Sequence, residues 1–125
     1  MPTTAPPLAA RKRYVGIRRG DTETEITVHP DAGEAYPLPL IDQWQAGRHT
    51  SRAGRLGRHE WGYPGAGPAA TAASILADHT GLPQPRQLVQ RFKAAVVARL
   101  PREGFELPGD RVAAWLAREV EAGRA

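Results

Sequence analysis

The chain has 125 residues, and this length suits one compact domain with little room for a second. Hydrophobic residues make up 41% of the chain and charged residues 24%, proportions that exclude wholesale disorder. No apolar run approaches the roughly 18 to 20 residues of a membrane span, so we expect no membrane partner. Because cysteine is absent, a disulfide framework, a zinc–thiolate site and a thiol nucleophile are excluded. The net charge of +4 allows an anionic partner without requiring one.

Residues 1–13 are predicted to form a flexible basic tail. The first ten residues are mostly Pro, Thr and Ala without charge, and the basic triplet Arg11, Lys12 and Arg13 follows them. A secretory signal has its positive charges before an apolar stretch, whereas here the order is reversed and the apolar stretch is missing. The sequence therefore indicates a cytoplasmic protein whose single domain covers residues 14–122.

Two short β-branched segments, Tyr14–Ile17 and Glu25–His29, flank the turn signal Gly20–Asp21. This arrangement is typical of a β-hairpin. Proline lacks the N–H that a strand ladder needs, so regular pairing is expected to stop after the hairpin, at Pro30, Pro37 and Pro39.

Residues 47–59 are predicted to form an exposed basic loop, since three glycines in a short span make a helix costly. The arginines of this loop are Arg48, Arg52, Arg55 and Arg58. Together with the basic triplet and with Arg18 and Arg19, they are expected to form one surface that binds nucleic-acid phosphates without sequence preference. The alternative is a solvated positive face with no partner.

Three helices are predicted in the C-terminal half. The first begins at Pro68, where the missing N–H costs nothing because it would have no partner in the helix. It ends before Gly81, which is expected to cap it in the left-handed conformation. The second runs from about Pro85 to Pro101, and the third is capped by Asp110. The third helix is expected to bury Val112, Trp115, Leu116 and Val120.

Between the last two helices, Phe105–Leu107 is predicted to be a third strand that returns to the hairpin. The element order is then strand, strand, loop, helix, helix, strand, helix. We therefore expect an α+β fold, in which three helices cover one face of a small antiparallel sheet made of the hairpin and one short strand.

The segment Glu60–Pro68, here called the glycine turn, holds three glycines and two prolines and leads directly into a helix. Such residues favour a fixed, turned backbone, and the first N–H groups of a helix lack internal partners and attract anions. A phosphate or carboxylate is therefore expected to bind here, with two aromatic rings nearby to stack on a ligand ring. The predicted ligand-binding residues are Trp61, Tyr63, Gly65, Ala66, Gly67 and Ala69. The alternative is a rigid connector whose two aromatic rings fill the core.

Two known phosphate motifs do not explain the glycine turn. A P-loop needs a lysine and a hydroxyl residue after its last glycine, but Pro68 and Ala69 follow Gly67. The stretch 65–70 matches the relaxed dinucleotide pattern G-x-G-x-x-A, but no long strand precedes it, and Arg86 stands where an acidic partner for the ribose is expected. We treat that match as accidental and predict no cofactor.

The sequence gives little support for catalysis or metal binding. No pair of histidines among His29, His49, His59 and His79 has the spacing of zinc ligands, so no metal site is predicted. Neither serine, Ser51 nor Ser74, has the strand-to-helix elbow of a nucleophile. If the protein were an enzyme, the candidate residues would be Glu60, His59 and Asp78. Structural roles are the alternative: Glu60 pairs with Arg58 or caps N–H groups, and His79 bonds the last carbonyls of its helix.

Several motifs resemble those of a known family. They are Tyr14-Val15-Gly16, the pattern E-W-G-Y-x-G-x-G-P at 60–68, Ile75–His79, and Phe92-Lys93 ahead of Val96–Pro101. Together they resemble domain of unknown function family 6166, a family of small bacterial and mobile-element proteins, over roughly residues 14–118. The chain departs from the family pattern at His59, Pro64 and Ala66, where the pattern has phenylalanine, glycine and serine. Without that serine hydroxyl, backbone donors alone are expected at the turn. The resemblance supports the fold and implies no mechanism.

These observations predict a small non-catalytic binding protein. It would recognise an anionic partner, either a nucleotide-like ligand or nucleic acid, through the glycine turn and nearby arginines. The alternative is an oligomeric or mobile-element-encoded protein, for example from a phage, that binds and modulates a host protein. In that case Trp44, Trp61 or Tyr63 would form an apolar contact.

Overall fold

The computed structural model describes residues 11–41, 43–44, 49–50 and 58–125. β1 (Lys12–Arg19) and β2 (Glu23–Pro30) form an antiparallel hairpin in which Tyr14 lies opposite Val28. β3 (Tyr36–Pro37) pairs with β2, and β4 (Gln43–Trp44) pairs separately with β5 (His49–Thr50). β6 (Gly104–Pro108) pairs antiparallel with the other edge of β1, so the strand order of the main sheet is β3-β2-β1-β6.

The predicted hairpin and returning strand are confirmed, and both hairpin strands are longer than predicted. β1 begins at Lys12 rather than at Tyr14, so the end of the predicted tail belongs to the sheet. Hairpin pairing ends at Pro30 as predicted, but pairing resumes in β3, which includes Pro37, so the prediction for Pro37 is wrong. β3 lies at the edge of the sheet, where a residue without an N–H is tolerated.

The three predicted helices are present, with shifted ends. α1 (Ala66–Thr80) begins two residues before Pro68 and ends at Gly81, which has the predicted left-handed conformation with φ 84°. α2 (Arg86–Ala95) stops well before Pro101, and a separate 3₁₀ helix, Val97–Arg99, fills the interval.

α3 (Gly109–Glu121) departs from its prediction at both ends. Asp110 lies inside the first turn and makes no capping hydrogen bond, so the predicted cap is wrong. Val112 and Trp115 are buried as predicted, whereas Val120 is 60% exposed because it lies on the solvent side of the last turn.

Alternation along the strands places one face of the main sheet against the helices. Gly16 lies on this face, and the ring of Phe105 occupies the space in which a Cβ of residue 16 would stand. The residues buried between this face and the helices include Tyr14, Ile26, Val28, Leu107, Ile75, Phe92 and Trp115. The predicted α+β class, a small antiparallel sheet with three helices, is confirmed.

Most of the predicted basic loop lies outside the described residues, including Arg48, Arg52 and Arg55. Within its bounds, His49–Thr50 forms β5, and His59 is only 5% exposed, so the exposed loop does not reach residue 59. In the part of the chain that the structure describes, no helix has both the length and the apolar character of a membrane span.

Candidate anion-binding turn

Trp61 fixes the glycine turn to the rest of the fold. Its indole is fully buried, and Nε1 donates to the carbonyl oxygen of Pro101 at 2.9 Å. The ring meets Phe105 edge to face with centroids 4.9 Å apart, and the Arg18 guanidinium lies 5.0 Å from its centre. Trp61 therefore fills the core, as in the alternative interpretation, and offers no exposed ring to a ligand.

Tyr63 is the more accessible aromatic residue of the turn. It is half-buried, and the guanidinium of Arg102 lies 5.3 Å from the centre of its ring. Burial raises the pKa of the Tyr63 phenol, and the Glu60 carboxylate raises it further. The phenol therefore keeps its proton at neutral pH and can donate a hydrogen bond.

The start of α1 lies close to these side chains because residue 67 is glycine. A Cβ on Gly67 would stand 2.9 Å from the Cβ of Glu60 and 3.0 Å from the Tyr63 hydroxyl oxygen. A larger residue would push the helix away from both side chains. Gly67 thus brings the N-terminus of α1 into contact with the polar groups of the turn.

The first amides of α1 are less available than the sequence predicts. The Ala69 N–H donates to the carbonyl oxygen of Gly65 at 3.1 Å, and Pro68 has no N–H. The amides of Ala66 and Gly67 have no acceptor among the described residues, but Gly67 is buried. Of the predicted backbone contacts, the half-buried Gly65 and the exposed Ala66 are therefore the accessible ones.

Glu60 lies at the centre of the turn with only 3% of its surface exposed. One carboxylate oxygen accepts from Nη2 of Arg18 at 2.8 Å, and the other accepts from Nε of Arg58 at 2.9 Å. Burial alone would raise the pKa of Glu60, but the two guanidinium groups outweigh it and lower the pKa, so Glu60 is ionised at neutral pH. The alternative role, pairing with Arg58, is confirmed.

Arg18 is a partner that the sequence does not reveal, since it lies 42 residues from Glu60. Its side chain is 9% exposed, and its Nε donates to the carbonyl oxygen of Arg102 at 2.8 Å. Its Nη1 is buried and has no acceptor among the described residues. A buried guanidinium nitrogen without an acceptor is costly, and the face of the Trp61 ring is the other group described beside this guanidinium.

The turn carries a surplus of positive charge. The guanidinium groups of Arg18 and Arg58 bond the Glu60 carboxylate, and that of Arg102 lies over the Tyr63 ring, so three positive charges less one negative leave two. Arg102 is exposed, and the side chain of Arg58 is 28% exposed, so part of this charge faces solvent. Guanidinium groups in such a position suit phosphate or carboxylate oxygens.

The basic residues of the hairpin do not form one surface, contrary to the prediction. Lys12 and Arg18 lie on the face of β1 that the helices cover, whereas Arg13 and Arg19 lie on the opposite face. Each of the latter two forms an exposed ion pair with a glutamate. Alternation along the strand divides the neighbours between the two faces.

His59 is buried next to the turn. Its Nε2 lies 2.9 Å from the carbonyl oxygen of Leu38, and its Nδ1 lies 3.3 Å from Oγ1 of Thr71, which also accepts the N–H of Glu60 at 3.0 Å. Because a carbonyl only accepts, Nε2 carries the proton and Nδ1 accepts from the Thr71 hydroxyl. Burial lowers the pKa of His59, and the Leu38 carbonyl only partly opposes this effect, so the ring is neutral.

Acid is therefore expected to destabilise the fold through His59. Its folded-state pKa lies below the ordinary 6.5, so the unfolded chain takes up a proton first and stability falls as the pH drops below that value. Urea unfolding at pH about 8 and about 5.5 measures this loss. The loss of stability between these two pH values should be smaller in His59→Gln than in the wild type. His29→Gln, on the outer face of β2, should show the full wild-type loss. The same pH dependence in wild type and His59→Gln would contradict the assignment.

A second, partly buried polar cluster, which sequence reasoning missed, lies near the C-terminus of α1. Asp78 accepts from Nζ of Lys12 at 2.9 Å and from the hydroxyls of Tyr14 and Tyr36, each at 2.7 Å. Burial alone would raise the pKa of Asp78, but these donors lower it, and burial raises the pKa of both tyrosines. The four side chains join β1, β3 and α1.

His79 does not bond the last carbonyls of α1, so that prediction is wrong. Its Nδ1 is buried and has no partner among the described residues. Burial lowers the pKa of His79, and the nearby Lys12 lowers it further, so the ring is neutral and gains little from the helix dipole. Thr80 and Lys12 bond the carbonyls of Leu76 and Asp78 instead.

The three candidate residues for catalysis do not form one group. The His59 ring bonds Thr71, but Glu60 reaches Thr71 only through its backbone N–H, and its carboxylate bonds Arg18 and Arg58 instead. Asp78 follows Thr71 by seven residues, which is about 10 Å along a helix. Oγ of Ser74 donates to the carbonyl oxygen of Ala70 at 2.8 Å, and Ser51 lies outside the described residues. Within the described ranges, no group of three or more His, Cys, Asp or Glu side chains is placed to hold a metal ion.

The fold and the turn define a small α+β protein with a positively charged, glycine-rich entry to its first helix. The chain belongs to a family of unknown function (DUF6166), which matches residues 14–118 and confirms the family resemblance found in the sequence. Comparison with curated proteins and with solved structures found no match.

Proposed function

We propose that the protein binds an anionic partner, a nucleotide-like ligand or nucleic acid, at the glycine turn without catalysing a reaction. The observation that supports this most strongly is the charge of the turn. Three guanidinium groups surround one carboxylate, and those of Arg58 and Arg102 are partly open to solvent. An oxyanion would supply negative charge where the fold lacks it.

The accessible groups decide where the anion binds. The exposed guanidinium of Arg102 and the Tyr63 hydroxyl are the side-chain donors, and the backbone at Ala66 is the nearest exposed part of α1. Arg18 and Arg58 stay with Glu60 and contribute through their charge. The buried indole of Trp61 holds the turn against the core. A phosphate ligand also fits the cytoplasmic location that we propose for the protein.

The alternative function, an oligomeric or mobile-element-encoded protein that modulates a host protein, stays a prediction. Its expected contact cannot include Trp61 in the described conformation, because that ring is fully buried. The side chain of Trp44 lies outside the described residues, and Tyr63 is half-buried under Arg102.

Replacing Arg102 with glutamine is expected to weaken anion binding at the turn about fivefold to tenfold, because a charge-assisted contact to the anion is lost. Thermal shift with a panel of nucleotides and short DNA, at low and moderate salt, measures the effect. Arg111→Gln, an exposed substitution in α3 with the same change in net charge, is the control. Absence of stabilisation by any anion, or equal binding by both variants, would refute the proposal.

A further inference from the structure

A groove between α2 and α3 is lined by arginines that the glycine turn does not use. Two adjoining cavities of about 210 and 310 Å³ share Arg91 and Arg124. Arg99, Trp115 and Glu119 complete the larger cavity together with two alanines. The groove therefore combines three guanidinium groups, a small apolar floor and one carboxylate.

Glu119 holds two of these arginines in place. Its side chain is 6% exposed and accepts from Nε of Arg91 at 2.7 Å and from Nη2 of Arg124 at 3.0 Å. Nη2 of Arg91 also donates to the backbone carbonyl of Arg124 at 2.6 Å. The hydrogen bonds from Arg124 and Arg91 lower the pKa of Glu119, which stays ionised. The side chains of Arg91 and Arg124 remain partly exposed, at 37% and 52%, and their hydrogen bonds to Glu119 hold both guanidinium groups in place.

Arg99 leaves the groove with unbalanced charge. It is exposed and has no acceptor among the described residues, and in the larger cavity three guanidinium groups less the Glu119 carboxylate leave two positive charges. The backbone of Arg99 is nevertheless fixed, because Arg99 ends a short 3₁₀ helix whose first residue, Val97, is buried. The next residue, Leu100, is buried as well. An exposed cation on a rigid support favours a multiply charged anion.

The segment that carries Arg99 is also joined to the glycine turn. The Gly62 N–H donates to the carbonyl of Val97 at 3.1 Å, and the Trp61 indole and Arg18 Nε donate to the carbonyls of Pro101 and Arg102. Arg99 and Arg102 are three residues apart, so their Cα atoms are separated by at most about 11 Å. One ligand with several phosphates has the length to contact both.

We infer that the groove between α2 and α3 is a second phosphate-binding site, next to the glycine turn. Arg91 and Arg124 form its preordered walls, and Arg99 is the residue that engages the ligand. The ligand chemistry is a phosphate group that carries more than one charge or is repeated along a chain. Inorganic pyrophosphate and a nucleic-acid strand are the two sources of that chemistry, and the larger cavity has room for a diphosphate or for a backbone phosphate of a strand.

Arg99→Gln is the test, because Arg99 has no described partner and its loss should leave the fold intact. Binding of pyrophosphate and of a short single-stranded oligonucleotide is measured by titration calorimetry at matched ionic strength. We expect Arg99→Gln to bind at least one probe about tenfold more weakly than Arg111→Gln does. For the oligonucleotide, the slope of log K against log salt should fall by about 0.7.

The outcomes separate the two sites. A loss for pyrophosphate alone supports a small phosphate compound in the groove, and a loss for the oligonucleotide supports a strand. Equal binding by Arg99→Gln and Arg111→Gln overturns the inference. If Arg102→Gln is weakened in that case, the proposal for the glycine turn survives without the groove. If the wild type binds neither probe, the groove is not a phosphate site.

Discussion

Glu60→Gln is expected to lower the free energy of unfolding by about 3 kcal/mol, because it leaves two guanidinium groups without their buried counterion. Glutamine fills the same volume, so the effect comes from charge and hydrogen bonding. Arg18 is the more affected partner, since its side chain is 9% exposed while that of Arg58 is 28% exposed. Urea unfolding at neutral pH measures the change. A catalytic Glu60 without a structural role would instead leave stability almost unchanged.

The matched control is Glu25→Gln in β2, which breaks an exposed pair with Arg19, the neighbour of Arg18 in β1. Such pairs contribute at most about 1 kcal/mol. The anion proposal adds a second expectation. Sulfate or phosphate should raise the melting temperature of Glu60→Gln more than that of the wild type, compared with chloride at equal ionic strength. Equal stability of the two glutamine variants would contradict the structural role of Glu60, and equal sulfate responses would count against the anion site.

Asp78→Asn is expected to lower the free energy of unfolding by a similar amount, about 3 kcal/mol. The substitution leaves the Lys12 ammonium without its counterion and places an NH₂ group among three donors, where only an acceptor fits. The Tyr14 hydroxyl is the critical partner because Tyr14 is fully buried. Thermal or urea unfolding measures the loss, with the exposed Asp31→Asn as control.

Acid unfolding provides an independent check on Asp78. Its folded-state pKa is lowered below the ordinary 3.8, so its contribution is complete well above that value and is lost as the pH falls through it. Asp78→Asn should therefore lose less stability than the wild type between pH about 5 and about 2. An acid response identical to that of the wild type would show that the three donors do not act on a carboxylate.

Local patterns were sufficient to predict most elements of this fold. The turn at Gly20–Asp21 separates β1 from β2, and Gly81 ends α1 in the left-handed conformation. The errors lie where tertiary contacts override a local rule. Pro37 pairs because it is at a sheet edge, and Asp110 is a helical residue because α3 begins directly after β6.

The polar clusters were harder to predict, because their members are far apart in the chain. Arg58 lies two residues from Glu60, and that pairing was accessible to sequence reasoning. Asp78 meets Tyr14 across 64 positions and Tyr36 across 42. Strand alternation puts Lys12 and Tyr14 on the same face of β1, but only the packed fold shows that α1 brings a carboxylate to them.

Residues 97–102 accept three long-range hydrogen bonds, two from the glycine turn and one from Arg18 of β1, and these bonds limit where the chain can change length. An insertion within 97–102 would move the carbonyls of Val97, Pro101 and Arg102 away from their donors together. The connection after Gly81 is held differently: the backbone of Leu82 bonds only the nearby side chains of Thr80 and Gln84 among the described residues, and Leu82 is 66% exposed. Extra residues, a tag or a protease site are therefore best placed between α1 and α2.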